Sequence, residues 1–286
     1  MTVRWEIAPE RFDAAATLTC GQVFRWVSPR PGRWLGTDDG VAFALTELGA
    51  GMWEVESTGD PERLWVTLGL DRDPVLPDLD AESQWLALCA AQTQALRLMR
   101  PADPVETLFA FMCTANNHLR RIVPMVHALA AHGPVIATWD GVALHAFPTL
   151  ETVAGLDEAT LRAQGFGYRG GTIPRAARAV LERGGRDWLL GLRQASWEEA
   201  RAGLMELPGV GPKLADCIAL FGLHHGECVP VDTHVWQIAT RHLFPEWAGL
   251  AVTERRYAAV GDWFRARFGA DAGWAHQRAF ASHLWE

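Results

Sequence analysis

The stretch from Leu204 to Arg241, LMELPGVGPKLADCIALFGLHHGECVPVDTHVWQIATR, constrains this chain more than any other. An apolar helix end runs into Leu207-Pro208-Gly209-Val210-Gly211, and a second helix opens at Pro212. Proline suits that first helical position because its missing N–H would have no partner there. Glycine at 209 and 211 permits positive φ and lets another backbone, or a phosphate, come close. The free N–H groups of the turn and the start of the next helix together make an anion site. The pattern predicts a helix-hairpin-helix over 204–224, a device that holds a DNA phosphate without a basic side chain.

Lys213, at the start of the second helix, is the one lysine in a sequence whose 26 basic residues are otherwise all arginine. Arginine stays protonated in a protein, whereas a desolvated lysine can give up its proton and act as a nucleophile. Taken alone, Lys213 reads equally well as a solvated residue at a helix start. Cys217, four residues on, shares its helix face. In Val229-Pro230-Val231-Asp232-Thr233-His234, Asp232 precedes an apolar-periodic run (Val235, Trp236, Ile238, Ala239) and reads as the N-cap of a helix. Capping alone accounts for Asp232. An amine and a carboxylate flanking a glycine hairpin form a much rarer combination.

LPGVGPKLADC…VPVDTHVWQIA resembles the catalytic core of the helix-hairpin-helix DNA glycosylases, specifically the 8-oxoguanine DNA glycosylase/AP lyase branch. The resemblance implies that Lys213 attacks the sugar anomeric carbon and that Asp232 stabilises the oxocarbenium charge. It places Gly209, Gly211 and His234 on the DNA-binding side of the motif. It also implies a monomer acting on double-stranded DNA that carries an oxidised purine, with no cofactor and no catalytic metal. A structural monovalent cation on the hairpin carbonyls is a further option it carries.

Composition limits the alternatives. With 49% apolar residues and mean hydropathy −0.01, the 286 residues suit a water-exposed globular chain with ample core. Neither a cleavable leader pattern nor an apolar run of membrane-spanning length is seen, so a cytoplasmic protein is expected. The five cysteines (Cys20, Cys89, Cys113, Cys217, Cys228) form no CxxC pair, which signals neither a disulfide framework, nor zinc, nor a C-terminal iron–sulfur loop. A net charge of −8 argues against loose, sequence-blind DNA binding. A focused site remains open, because surface field depends on where charges sit.

In chain order, residues 1–80 predict a β-rich domain. The strands are Ala16–Thr19, Gln22–Trp26, Arg33–Gly36, Val41–Leu45 and Met52–Glu56, separated by glycine-containing turns, in an antiparallel sheet with one covered face. LDRDPVLPDLD (70–80), with two prolines and four aspartates, marks the boundary. Residues 81–286 predict a two-lobed helical domain, so the fold class is α+β. Its helices run over Ser83–Arg100, from Asp103 (cap) towards Asn116-Asn117, over His118–Ala131, from Phe147-Pro148-Thr149, over Ile173–Arg183 and Trp197–Leu207, and through the final segment from Gly273. Pro245–Ala251 reads as a loop.

Several other segments have an ordinary local reading beside the one the resemblance gives. Cys20-Gly21-Gln22 reads as a strand start with a turn glycine; by resemblance, Gly21 offers the carbonyl that accepts the N7 hydrogen of 8-oxoguanine. Asn116-Asn117-His118 reads as an inter-helix turn; by resemblance, Asn116 fills the gap left by the extruded base and Arg121 reads the opposite cytosine. Gly165-Phe166-Gly167-Tyr168-Arg169 reads as a helix C-cap loop; by resemblance, Tyr168 wedges into the duplex and Arg169 contacts the orphaned cytosine. GWAHQRAF (273–280) reads as a core helix; by resemblance, Phe280 stacks on the base and Cys217 packs on its other face. At 276 the family carries Gln and this chain carries His276, so the contact with the base edge must differ and could pass to Gln277 or the main chain. Two rival functions stay open from sequence: a monofunctional alkyl-base glycosylase, and a non-catalytic duplex-binding hairpin protein.

Overall fold

A computed structural model describes residues 1–73 and 83–285. Five strands, β1 (Thr2–Glu6), β2 (Val27–Arg30), β3 (Arg33–Asp38), β4 (Val41–Gly49) and β5 (Met52–Ser57), form an antiparallel sheet in the order β1-β5-β4-β3-β2. Asp39 and Gly40, both at positive φ, make the two-residue turn between β3 and β4, the geometry that matches the twist of paired strands. Trp5, Phe43, Leu45, Trp53 and Val55 bury one face of the sheet over α1 (Ala14–Thr19) and α2 (Arg63–Thr67).

The β3–β4 part of the other face is covered too, whereas its β1–β5 part, with Arg4 and Glu54, stays open to solvent as expected. A hairpin from far along the chain, β6 (Val135–Trp139) and β7 (Val142–His145), packs Leu144, Ile136 and Trp139 against Leu35, Ala42 and Ala44. Arg33 clamps it: Nε donates to Asp140 Oδ2 at 2.5 Å, and Nη1 donates to Glu56 at 2.8 Å and to Thr46 at 2.7 Å. The sheet is thus joined to the helical part by more than the linker. The boundary at 80 lies outside the described residues.

Two segments expected as strands are not. Ala16–Thr19 is helical because three alanines follow Asp13, whose carboxylate caps α1 by accepting from Ala16 N at 2.9 Å. Gln22–Trp26 is irregular because its side chains serve different cores. Phe24 meets Phe111 edge-on at 5.5 Å, Trp26 slides beneath Gly36, and Arg25 pairs with Glu106. A Cβ at Gly36 would stand 2.3 Å from the Trp26 ring, so this position requires glycine.

Next come α3 (Gln84–Gln92), α4 (Pro104–Met112), α5 (Leu119–Ala130), α6 (Leu150–Ala154), α7 (Glu158–Ala163), α8 (Arg169–Glu182), α9 (Arg186–Leu192), α10 (Trp197–Met205), α11 (Pro212–Cys217), α12 (Thr233–His242), α13 (Glu254–Phe268) and α14 (Ala272–Trp285). The helix expected over Ser83–Arg100 stops at Gln92. Beyond it, the backbone bonds to the sheet domain instead: the Gln22 amide donates to Arg97 O at 2.8 Å and accepts from Met99 N at 2.9 Å, and Arg100 N donates to Thr67 O. α4 ends at Met112, short of the asparagines, and a 3₁₀ turn at Pro245–Trp247 breaks the expected loop. Tyr168 does not close a helix; it sits at the N-cap of α8.

Two apolar cores define the expected two lobes. α4, α5, α8, α10 and α11 bury Leu108, Phe109, Val126, Ile173, Leu204 and Leu214 in one core, whereas α3, α12, α13 and α14 bury Leu86, Val235, Ile238, Phe264 and Ala275 in the other.

Candidate active site

The hairpin is held by Leu204, Leu207, Val210 and Leu214, all buried. Val210 N donates to Leu207 O at 3.1 Å, and Gly211 caps α11 with Ala215 N on its carbonyl. Of the two glycines, only Gly209 uses the left-handed region, at φ +82, with Thr172 3.2 Å from where a Cβ would be. Gly211 is extended (φ −95, ψ −179) and a Cβ there would meet nothing. Its lack of a side chain keeps the surface open rather than permitting a special conformation. After Cys217 the helix widens into a π turn over Ile218–Gly222, where Gly222 lies tight against Thr107.

Lys213 is half-buried at the second position of α11. Its Nζ lies 3.5 Å from Thr114 Oγ1 and 6.0 Å from the centre of the Phe111 ring. Asp232 is also half-buried and caps α12, accepting from Val235 N at 2.9 Å as its position before the periodic run predicts. α11 belongs to the first apolar core and α12 to the second, so the amine and the carboxylate come from opposite lobes. Their charges converge on two neutral groups. Burial pushes the Cys217 thiol up to about 11, with Lys213 opposing and Asp232 reinforcing. Burial holds the His276 imidazole down to about 4, against the pull of Asp232.

His276 is 3% exposed, and neither ring nitrogen completes a hydrogen bond of normal geometry, although the Pro230 and Gly273 main chains lie beside it. Its ring is roughly parallel to that of Phe280, 6.3 Å between centres, and edge-on to Phe264. Phe280 meets His234 edge-on at 5.9 Å and lies 3.8 Å from where a Gly21 Cβ would stand. Gly21 (φ +84) is therefore held in one cluster with His234, His276 and Phe280. Its loop is moored by Gln277, whose amide donates to Cys20 O and Sγ at 3.3 Å. The Gln277 Nε2 is thus engaged by that loop.

The other residues that the sequence singles out form a second group. Asn116 is exposed at positive φ (+48). Tyr168, 51% exposed, donates to Ala115 O at 3.3 Å. Arg169 is 5% exposed; its guanidinium stacks 4.7 Å from the Tyr168 ring and donates to the carbonyls of Ala115 and Asn116. Arg169 therefore braces the Asn116 turn. Arg121 is exposed, with Nη2 3.5 Å from Gly165 O. Thr114 and Phe111, which touch Lys213, carry no such signal in the sequence, since α4 reads there as an ordinary apolar helix.

An antiparallel sheet, two helical lobes, a glycine hairpin with a half-buried lysine in one lobe and a capping aspartate in the other define the architecture of a base excision repair protein. The chain belongs to the HhH-GPD superfamily of base excision DNA repair proteins, whose sequence profile matches residues 109–258. It is 41% identical over 197 residues to the N-glycosylase/DNA lyase OGG1 of Arabidopsis thaliana, covering 68% of this chain and 54% of that one. It is 34% identical over 224 residues to the N-glycosylase/DNA lyase of Saccharomyces cerevisiae, covering 69% and 59%. The chain thus spans under two thirds of the length of these relatives. Among solved structures, MBOgg1 with a low-affinity DNA ligand superposes with a TM-score of 0.84 at 24% identity, over 99% of this chain and 96% of that one. Clostridium acetobutylicum 8-oxoguanine glycosylase/lyase, in complex with dsDNA containing cytosine opposite 8-oxoG, gives 0.81 at 21% identity, over 98% and 96%. At these identities the likeness is one of fold.

Proposed function

We propose that this protein removes 8-oxoguanine opposite cytosine from duplex DNA and then cleaves the strand, acting as a monomer in the cytoplasm. The observation that carries the reading is the sole lysine, half-buried on the hairpin helix, with its charge and that of Asp232 meeting at Cys217 and His276. The names of the curated relatives support it. A stacked base is out of reach, so the nucleotide must swing out, with Asn116 and Tyr168 holding the gap and Arg121 at the opposite strand. Arg169 acts here by bracing that turn. The extruded base would lie against Phe280 and Cys217, with the Gly21 main chain at its edge. Because His276 is neutral, it can offer one donor and one acceptor to that edge where the family has an amide.

Once Lys213 Nζ has given up a proton to water, it donates its lone pair to C1′, and the glycosidic C–N bond breaks, with the base taking the bonding pair and then a proton. Asp232 stabilises the cationic sugar in the transition state. Ring opening gives the iminium, loss of a C2′ proton expels the 3′ oxygen as phosphate, and water returns the amine. Phosphate contacts fall to the open backbone of Gly209 and Gly211 and to His234. A monovalent cation on the hairpin fits as an added ligand only, since the Leu207 and Gly211 carbonyls already accept main-chain N–H groups.

Borohydride trapping on a duplex with 8-oxoguanine opposite cytosine tests the proposal. Wild type should form a covalent adduct and Lys213→Gln none. An adduct that survives in Lys213→Gln, or base release without any adduct in wild type, overturns the lysine mechanism.

A further inference from the structure

Lys213 and Asp232 come from different lobes, so something must fix the distance between them. Three residues past Lys213, the buried carboxylate of Asp216 accepts from Tyr257 Oη at 2.5 Å through Oδ2, and from Arg201 Nε at 2.9 Å through Oδ1. The same Tyr257 oxygen accepts from Val231 N at 3.2 Å, and Val231 immediately precedes Asp232. Arg201 also lies over the Tyr257 ring, 5.8 Å from its centre. One phenol therefore bonds at once to the helix that carries the amine and to the segment that carries the carboxylate. Tyr257 projects from α13, which supplies none of the residues of the pocket except the flank of Phe264.

We infer that Tyr257 is a positioning residue that, with Asp216, sets the separation of Lys213 and Asp232 across the two lobes; this rests on the function proposed above. A hydroxyl that donates to a carboxylate and accepts from a main-chain N–H is a short, directional tie. Without it, Val231 N–H loses its partner, and Asp232 is free to shift by a fraction of an ångström, a displacement to which rates are sensitive. Its role in folding and its role in catalysis can be separated, because only the latter depends on the presence of the Asp232 carboxylate.

The test is single-turnover base release with saturating enzyme for wild type, Tyr257→Phe, Asp232→Asn and the double variant, alongside Kd for a duplex carrying a non-cleavable abasic analogue. Tyr257→Phe should release base about tenfold more slowly, with Kd within about twofold of wild type. In the Asp232→Asn background the same change should cost nothing further, because the group being positioned is gone. A full rate in Tyr257→Phe overturns the inference, as does a tenfold loss that persists when the change is made in the Asp232→Asn background. If circular dichroism shows Tyr257→Phe unfolded, Asp216→Asn is measured against the same two criteria. A wild type that releases no base overturns the proposed function and this inference together, whereas an active, lysine-dependent wild type with an equally active Tyr257→Phe removes this inference alone.

Discussion

Replacing His276 by glutamine isolates one buried titration. The imidazole ionises at about 4 in the folded protein, because burial disfavours its charged form, and near 6.5 when unfolded. Between those values the unfolded chain binds the extra proton and the native chain does not, so acidification draws the protein towards the unfolded state. This penalty is absent above pH 6.5 and grows as pH falls towards 4. Integrated from pH 7.5 to 4.5, it comes to about 2.5 kcal/mol. Glutamine has no such titration. His224, also held down to about 4, acts in the same direction, and Asp103, pushed up to about 7, acts oppositely; both are common to the two proteins and cancel in the difference. A change in packing displaces the whole curve without tilting it. Urea unfolding at pH 4.5, 5.5, 6.5 and 7.5 should therefore show wild type losing about 2–3 kcal/mol more than His276→Gln on the way down. Parallel curves would refute the assignment of His276 as a buried neutral ring. The ring would then titrate near its unfolded value, as an imidazole that burial does not perturb.

Two further outcomes can be checked. Asp103 is held up by burial and by the Glu106 charge, so it costs stability as pH rises from 3.8 through about 7; Asp103→Asn, which can still cap Val105 N, should gain on wild type over that climb, read by denaturation at pH 6 and pH 8. Gly209→Ala should lower stability by about 1 kcal/mol through its positive φ, whereas Gly211→Ala should change stability by less than about 0.5 kcal/mol. If Gly211→Ala nevertheless weakens binding to a duplex, measured by anisotropy, the open backbone at 211 is a contact; equal affinity would remove it from the interface.

What can be read from the sequence is whatever is local. Asp103 and Asp232 cap helices as their positions before periodic runs predict, because a cap is decided within four residues. The hairpin is legible for the same reason. The strand expected at Ala16–Thr19 fails on a signal that is also local, Asp13 ahead of three alanines. The β6–β7 hairpin escapes the strand reading although Asp140-Gly141 is a strong turn dipeptide. Other features have no local trace. The stretch Arg97–Arg100 is not helical because Gln22 and Thr67 claim its backbone, and the Tyr257–Asp216 bond joins residues 41 apart. Neither contact leaves a period in the sequence.

That one side chain alone carries a primary amine has a practical consequence. Acylating reagents, aldehydes and succinimidyl dyes that decorate an ordinary protein at many points have a single side-chain target here, Lys213, partly sheltered by Phe111 and Thr114. Labelling stoichiometry at that residue thus becomes a titration of competent molecules, and protection from the dye by bound duplex reports occupancy directly.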